Sequence, residues 1–366
     1  MNDGELMQRA IEVARTARRR TAPKPAVGCV VARDGEIVAI GATEAGAHGA
    51  HAEVVALRAA GDRARGATAY ATLEPCNHHG ATPPCTEALI DAGIARVVTA
   101  VGDPDARVAG TGFERLRAAG ITVDTGVGTE AAERDLAAYL HHRRTGSAFA
   151  VAKVALSLDG RVAAADGSSQ WITSEAARAD VHELRADSQA IVVGAGTARK
   201  DQPALTVRNV ALPPEQPPLR VLLDARGRTP ATGPLFDTTL APTMVFTTEA
   251  ASPEAKTAWE APGAKVEVVG RGFEGHGVDF DAVFARLGAE GVLQALVEGG
   301  GTLLGALFAC GNADRIVAYV APTFLGTRGA PGFAFNGPDT IADAPRWNLA
   351  DAARVGADVR LTLEPR

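Results

Sequence analysis

Three residues with metal-binding side chains and one carboxylate stand out in the first quarter of the sequence. His51 is followed by Glu53, Cys76 comes after one proline, and Cys85 comes after two. One neutral imidazole and two thiolates suit Zn²⁺ and leave a fourth position open to water. On a helix Glu53 would point about 200° away from His51, so it is better placed to move protons than to bind the metal. This set predicts hydrolytic removal of ammonia from an aminated heterocycle.

The elements predicted around these residues place each ligand at the end of a helix or strand. His51 opens a helix over 51–60, Cys76 follows a strand over 67–73, and Cys85 lies at the start of a helix over 84–92. Thiolates near helix N-termini are stabilised by the free N–H groups and the helix dipole. His78 and His79 could also bind metal, but three ligands already suffice, so loop-shaping or substrate contact is the favoured interpretation.

The remaining pattern alternates helices with strands and divides into two unlike halves. Helix 6–17, a hairpin of strands 27–32 and 37–40, strand 97–101, helix 113–119, strand 121–123 and helix 129–143 predict a three-layer α/β domain with a mostly parallel sheet. After a break at 141–147 a second series begins. Its predicted strands are 149–156, 190–193, 220–224, 244–247, 292–298 and 315–320; its predicted helices are 174–186, 280–287 and 302–309. The proline-rich segment 203–218 predicts a loop, with a short extended piece at 205–207.

Composition narrows the class of protein. At 366 residues two domains are expected, and a net charge of −6 offers no general field for holding nucleic acid. The first 20 residues lack the apolar core of a signal peptide, and no apolar stretch is long enough to span a membrane. Four cysteines, Cys29, Cys76, Cys85 and Cys310, are typical of buried thiols or metal ligands in the cytoplasm.

The segment from Thr72 to Cys85, with His51 and Glu53, resembles the deaminase signature of the bifunctional riboflavin-biosynthesis deaminase/reductases. Most cytidine-deaminase-type enzymes place two residues between the cysteines, whereas this chain places eight. The resemblance implies a zinc-dependent cytidine-deaminase-like domain over 1–145 that acts on a diaminopyrimidine ribosylamine phosphate. It makes His51, Cys76 and Cys85 the zinc ligands and Glu53 the catalytic proton donor and acceptor.

The sequence departs from this family at four positions that bear on substrate or cofactor. Lys24 stands where the family has an asparagine, Thr43 where it has a histidine, Ala81 where it has an arginine or lysine thought to meet the substrate phosphate, and Gln202 where it has an acid. Lys24 could supply the charge missing at 81. None of the four departures affects the metal ligands or Glu53.

Six further segments resemble the reductase half of the same family, in order from about residue 150 to 326. They lie around Lys153–Arg161, Ser168–Thr173, Arg185–Asp187, Val193–Thr197, Pro203–Arg208 and Val297–Thr302. The resemblance implies a dihydrofolate-reductase-like domain over 146–366 that uses NADPH. Independently, three glycines between an apolar strand and a helix at Thr302 could let the backbone approach an anion. As a bare pattern that signal is weak, because glycines before a helix often form only a turn.

The resemblance also assigns roles to single residues of this half. The cofactor would contact Ala155, Trp171, Thr197, Asp201, Gly300, Gly301, Thr302, Leu303, Leu304, Gly305 and Ala306. The substrate would contact Ser169, Arg185, Leu205, Arg208 and Glu298, the two arginines forming a fork around a phosphate. Lys153 lies on an otherwise apolar strand, and because a buried lysine is costly without a use, we expect it to polarise or protonate the sugar.

We therefore predict a cytoplasmic homo-oligomeric enzyme that deaminates the pyrimidine and then reduces its ribosyl group to ribityl with NADPH. One alternative is a paralogue acting on another pyrimidine or pteridine, with its pocket retuned at Lys24, Thr43 and Ala81. A nucleic-acid base deaminase would use the same zinc triad, but the acidic charge and the scarcity of basic runs argue against it. A binding protein with a dead site is a further alternative, against which all four metal-site residues are present.

Overall fold

The computed structural model describes residues 1–46, 48–80 and 82–366, with Phe273 described for its backbone alone. The chain forms two compact units, Met1–Gly146 and Ser147–Arg366. None of the described helices is long and apolar enough to cross a membrane.

The N-terminal unit is a five-stranded sheet with five helices. The strands are β1 Gly28–Arg33, β2 Glu36–Ala42, β3 Thr68–Leu73, β4 Arg96–Val101 and β5 Thr122–Thr125. The helices are α1 Asp3–Arg15, α2 Ala52–Ala60, α3 Cys85–Asp91, α4 Thr111–Ala118 and α5 Thr129–Thr145. The sheet order is β2-β1-β3-β4-β5. The predicted hairpin of β1 and β2 is confirmed, but β1 also pairs antiparallel with β3. The parallel pairs among the described strands are β3 with β4 and β4 with β5.

Helix α1 begins earlier than its apolar pattern predicts because its first turn is capped by polar residues. The Asn2 side chain accepts the backbone N–H of Glu5, and Glu5 accepts the N–H of Asn2. This reciprocal capping satisfies two N–H groups that would otherwise lack partners. Gly28 lets the helix lie close to β1, since a Cβ there would fall 2.0 Å from the Ala10 carbonyl oxygen.

Strands β3 and β4 determine where the chemistry of this unit lies. They are parallel neighbours, and β3 ends at Leu73 while β4 ends at Val101. The segments that follow, 74–76 and 102–105, therefore leave the sheet at the same edge. In open α/β sheets, ligands bind at that edge, outside the carboxyl ends of the strands.

The C-terminal unit has a nine-stranded sheet of order β11-β10-β9-β8-β12-β6-β13-β16-β15 and a separate β14-β7 pair. Its strands are β6 Phe149–Ser157, β7 Arg161–Ala163, β8 Ala190–Gly194, β9 Leu219–Leu223, β10 Thr243–Thr247, β11 Lys265–Val268, β12 Gln294–Glu298, β13 Arg315–Ala321, β14 Ala330–Pro331, β15 Trp347–Val355 and β16 Asp358–Pro365. Its helices are α6 Glu175–Ala186, α7 Ala195–Asp201, α8 Pro253–Glu260, α9 Phe280–Ala289 and α10 Gly301–Ala309. In the sheet order just given, the first seven strands, which end with β13, are parallel. The antiparallel hairpin β15-β16 pairs with β13 and extends that edge of the sheet.

The main elements of this unit match the sequence pattern, whereas the sequence analysis did not predict α7, α8, β11, the short pair β7-β14 or the hairpin β15-β16. The hairpin is partly exposed along its length, so it carries no continuous apolar run. The short extended piece expected at 205–207 is wrong, because Leu205 has a φ of 50° and so adopts a left-handed conformation. That conformation costs a branched residue about 1 kcal/mol or more, and a surrounding structure must hold it.

Candidate active sites

The predicted zinc ligands come together at the carboxyl edge of the first sheet. The Nδ1 atom of His51 lies 3.2 Å from the Cys85 sulfur and 3.5 Å from the Cys76 sulfur. The three donor atoms all lie within 4.8 Å of one another. His51 occupies the N-cap of α2 and Cys85 is the first residue of α3, so two short helices aim their starts at one point. One imidazole and two thiols at this spacing fit a zinc ion.

The electrostatics of the two sulfurs favour one thiolate even without the ion. The hydrogen bond from Cys85, together with that from His51, lowers the pKa of Cys76 well below that of an ordinary thiol. The backbone N–H of Cys85 also points at the Cys76 sulfur, at 3.4 Å. Because a cysteine must lose its proton to bind a metal, a site that already stabilises a thiolate releases fewer protons when the metal binds.

Glu53 is buried beside the triad. Its side chain is 3% exposed, and burial, followed by the nearby Cys76, raises its pKa to about 7. A carboxyl group with a pKa near the working pH can both take up and release a proton. The predicted roles are therefore physically reasonable: His51 lies against the two sulfurs as a metal ligand would, and the pKa of Glu53 suits proton transfer.

An open cleft of about 270 Å³, which we term the metal cleft, adjoins the triad. Besides His51, Glu53 and Cys76, its polar lining consists of Lys24, Thr43, Glu74, His78, Thr82, Asp103, Asp105, Arg107, Tyr139 and Arg143. Sequence reasoning missed Asp103, Asp105, Arg107, Tyr139 and Arg143. The available signal was topological, because Asp103 and Asp105 follow the strand next to the one that precedes Cys76.

Glu74, two positions before Cys76, connects the metal-binding segment to residues 102–113, which form the opposite wall of the metal cleft. Its Oε2 accepts backbone N–H groups of Asp103 and Gly110 at 3.2 and 3.1 Å, and its Oε1 accepts those of Gly112 and Phe113 at 3.1 and 3.4 Å. Four donors satisfy a carboxylate that is only 4% exposed. The wall formed by residues 102–113 is thus bonded to a side chain two positions before Cys76.

The departures from the family pattern have structural roles in this cleft. Lys24 donates to the carbonyl oxygens of Gly49 at 3.0 Å and Glu44 at 3.3 Å, and so holds the loop that leads into His51. The buried Thr43 hydroxyl accepts the Val27 backbone N–H at 3.1 Å. Ala81 lies outside the described residues. His79 is exposed and approaches Glu87 at 3.8 Å, and in the described parts of the chain the metal-binding group consists of His51, Cys76 and Cys85 without either loop histidine.

The C-terminal unit brings Lys153, Arg185 and Glu298 into one charge cluster that is largely, but not fully, buried. Glu298 on β12 pairs in register with Lys153 on β6. Arg185 on α6 donates to both Glu298 oxygens, at 2.6 and 3.0 Å. Burial lowers the pKa of Lys153, whereas Arg185 and Lys153 outweigh burial and keep the pKa of Glu298 below its ordinary value.

The same face of α6 holds the loop that carries Leu205 and Arg208. Arg185 donates to the Thr206 carbonyl oxygen at 3.2 Å, and the Arg208 backbone N–H donates to Nδ1 of His182 at 3.2 Å. His182 and Arg185 are three residues apart and therefore project from one side of the helix. These bonds explain how the buried Leu205 keeps its left-handed conformation. His182 was missed from sequence because a single histidine on a helix carries no signal.

Two helices begin beside each other at the carboxyl edge of the second sheet. Helix α7, which contains Thr197, follows β8, and α10 follows the neighbouring strand β12. Leu303 packs against Gly194 and Gly299, where added Cβ atoms would lie 3.5 and 2.8 Å from its side chain. The predicted cofactor segments around 194–197 and 299–303 are therefore brought together.

The glycines at this edge of the sheet have different structural roles. A Cβ on Gly301 would lie 2.0 Å from the Pro331 carbonyl oxygen, and one on Gly305 would lie 2.3 Å from that of Ala334. Both glycines therefore serve helix packing, whereas Gly300 faces open space, where a ligand could approach its backbone. Leu304 is fully buried, so only its backbone could meet a ligand. Thr302 is exposed, and Ala306 lies on the same helix.

The remaining predicted contacts lie outside the charge cluster. Ala155 is on β6, two residues beyond Lys153, and Ser169 and Trp171 are in the loop before α6. Trp171 is 68% exposed, with the Arg178 guanidinium 4.5 Å from its ring centre. Asp201 and Arg208 are exposed. Over the described residues, no hydrogen bond or ion pair joins Ser169, Trp171 or Asp201 to Lys153, Arg185 or Glu298.

Comparison with family models gives one match for each unit. Residues 1–101 match the cytidine and deoxycytidylate deaminase zinc-binding region, and residues 148–361 match the RibD C-terminal domain.

Whole-length relatives carry both parts in the same order. The riboflavin biosynthesis protein RibD of Escherichia coli is 41% identical over 99% of each chain, and that of Mycobacterium tuberculosis is 43% identical over 99% of this chain and 97% of the relative. Among solved structures, RibD of Acinetobacter baumannii (form 1) has a TM-score of 0.87 at 37% identity. It covers 100% of this chain and 99% of the other. The diaminohydroxyphosphoribosylaminopyrimidine deaminase/5-amino-6-(5-phosphoribosylamino)uracil reductase of Thermotoga maritima has a TM-score of 0.84 at 31% identity, with the same coverage.

Proposed function

The chain belongs to the RibD family of bifunctional riboflavin-biosynthesis deaminase/reductases, and from that membership we propose a role for each pocket and its residues. It is an enzyme of riboflavin biosynthesis with a zinc-dependent deaminase unit and an NADPH-using reductase unit, acting on a small phosphorylated substrate. We assign the deaminase to residues 1–146 and the reductase to 147–366, one residue beyond the division expected from sequence.

In the deaminase unit, His51, Cys76 and Cys85 hold the zinc ion. Bound zinc supplies a Lewis acid that lowers the pKa of water toward neutrality. Glu53 takes a proton from the attacking water and delivers it to the ring nitrogen of the diaminopyrimidine. It then takes the proton of the newly formed hydroxyl group and delivers it to the amino group, which leaves as the carbonyl forms. The products are ammonia and the corresponding uracil. The observation that carries this assignment is the convergence of one imidazole, two sulfurs and a buried carboxyl with a pKa near 7.

In the reductase unit, NADPH supplies hydride to C1′ of the ribosyl group, which becomes ribityl. Lys153 donates a proton or a hydrogen bond to the sugar, since its lowered pKa makes it a better proton donor than an ordinary lysine. Glu298 and Arg185 hold Lys153 and the substrate, Leu205 and Arg208 line the substrate loop, and Ser169 contacts the substrate from the loop before α6. Cofactor contacts fall to Ala155, Trp171, Thr197, Asp201 and the segment 300–306.

Two further assignments concern the protein as a whole. We place the enzyme in the cytoplasm, where reduced thiols persist, because two of its four cysteines serve as metal ligands and such ligands must stay reduced. We also propose that it forms a homo-oligomer, as the family resemblance implied.

The test uses purified full-length protein, the diaminopyrimidine ribosylamine phosphate and NADPH. Ammonia release should occur without NADPH, and NADPH oxidation should follow only after deamination. Elemental analysis should give about one zinc per chain. Bound zinc with no ammonia release from this substrate would contradict the assignment and favour a paralogue acting on another pyrimidine or pteridine.

A further inference from the structure

Three cations line the metal cleft: Lys24, Arg107 and Arg143. The cleft also contains carboxylates. A cation can therefore bind a ligand well only if its N–H groups are not already bonded to the protein. An anionic group on a substrate binds best to a positively charged side chain that has unused N–H groups available to the cleft.

Two of the three cations are committed to the protein. Lys24 uses two of its three N–H donors on the carbonyl oxygens of Glu44 and Gly49. Arg143 donates to the Pro23 carbonyl oxygen at 3.3 Å, approaches His142 and Asp105, and lies 4.9 Å from the Tyr139 ring centre. These contacts restrain both side chains, although Lys24 keeps one N–H donor. The expectation that Lys24 replaces the family's cation stays a prediction.

Arg107 is held on one edge and open on the other. Its Nε and Nη2 donate to the two oxygens of Asp105 at 2.9 and 2.6 Å. Its Nη1 has no partner among residues 1–46, 48–80 and 82–366, and its side chain is 63% exposed. Asp105 in turn is only 10% exposed and is placed at the carboxyl edge by the Glu74 anchor on residues 102–113.

A guanidinium fixed by a carboxylate loses little rotamer freedom when it binds a second anion. We propose that Arg107 is the principal phosphate-binding residue of the deaminase cleft, with Asp105 as the residue that positions it. The proposal rests on the deaminase function assigned above and adds a specificity determinant to it. Arg107 contacts the phosphoryl group of the substrate through Nη1.

The test compares Arg107→Ala with the wild-type protein on two substrates, the phosphorylated diaminopyrimidine and its dephosphorylated counterpart. For the phosphorylated substrate, KM for ammonia release should rise about 10- to 100-fold, as expected for one or two charge-assisted hydrogen bonds. For the dephosphorylated substrate, KM and kcat should stay within about twofold of the wild-type values. Inorganic phosphate should inhibit the wild-type deaminase competitively and inhibit the variant more weakly by a similar factor.

Two more variants separate binding from loop structure. Arg107→Lys keeps the charge but loses the fork, so KM for the phosphorylated substrate should fall between the wild-type and alanine values. Arg134→Ala removes an arginine of the same unit that pairs with Glu130 outside the cleft, and it should leave both substrates unchanged.

Equal losses on both substrates would overturn the proposal, because they would mean that Arg107 only supports the loop through Asp105. An unchanged KM and unchanged phosphate inhibition would overturn it as well. In either case the wild-type protein would still release ammonia from the phosphorylated pyrimidine. Failure of the wild-type protein to do so would instead refute the deaminase assignment.

Discussion

Glu53 is buried and Glu298 largely buried, and both lie at the carboxyl edge of a sheet, yet their surroundings shift their pKa values in opposite directions. Glu53 lies beside two thiols, and burial raises its pKa to about 7. Glu298 lies between Arg185 and Lys153, which hold its pKa below the ordinary value in spite of burial. The difference shows how one residue type becomes a proton carrier in one unit and a fixed charge in the other.

The comparison also separates what each unit contributes to its reaction. In the deaminase unit a protein carboxyl must gain and lose a proton in each turnover. In the reductase unit the hydride belongs to the cofactor, and protein charges mainly orient the reactants. Perturbing the metal site should therefore abolish chemistry with little change in folding, while perturbing the charge cluster should affect folding as well.

Removing the metal should give the largest separation between the two units. A zinc chelator, or Cys76→Ser, should reduce ammonia release to background, because a serine hydroxyl is a poor zinc ligand. NADPH oxidation on pre-deaminated substrate should continue. Added zinc should restore the chelated wild-type protein but not the variant. Parallel loss of both activities would contradict two independent sites.

Glu53→Gln should lower kcat for ammonia release by about 10²–10⁴-fold, the usual contribution of a general acid–base group. Zinc content and NADPH oxidation should be unchanged. Because glutamine removes a buried carboxyl group whose charged form is disfavoured by burial, the free energy of unfolding should stay the same or rise. Residual ammonia release near the wild-type rate would mean that another group moves the proton.

Glu298→Gln should instead destabilise the C-terminal unit. It leaves Arg185 and Lys153 without their carboxylate, and breaking a buried ion pair typically costs about 3–5 kcal/mol. Denaturant unfolding monitored on the full chain would measure this loss. Glu290→Gln, which breaks a more exposed pair with Arg286, should cost at most about 1 kcal/mol. An equal loss of unfolding free energy in the two variants would show that the ion pair of Glu298 contributes no more than a more exposed one.

The smallest expected effect is a pH dependence of stability that belongs to Glu298. Its folded pKa lies below the ordinary glutamate value of 4.5, so its contribution to stability is fully present above about pH 4.5 and is lost as the pH falls through the lowered value. In that window the unfolded chain binds more protons, and stability rises with pH. The slope should be shallower in Glu298→Gln than in the wild-type protein when unfolding is measured between pH 5 and 3. Identical slopes would show that other carboxylates account for the acid sensitivity.

Local signals made the metal triad and most helices and strands predictable from the sequence. His51, Glu53, Cys76 and Cys85 have distinctive side chains within short motifs, and each lies at the end of a regular element. The hairpin β15-β16 and the left-handed Leu205 were missed because packing, rather than local pattern, decides them. Asp105, Arg107, Arg143 and His182 were missed because their roles depend on which distant segments meet.

The four bonds made by Glu74 have a consequence for how such an enzyme can diversify. All of them run to main-chain amides, so they do not depend on which side chains the opposite wall carries. Positions 105 and 107 could therefore change during evolution while the scaffold that presents Cys76 stays intact. Gly112 is the exception, because a Cβ there would lie 2.1 Å from the Pro75 carbonyl oxygen. A lineage could thus exchange the molecules it accepts without rebuilding its catalytic machinery.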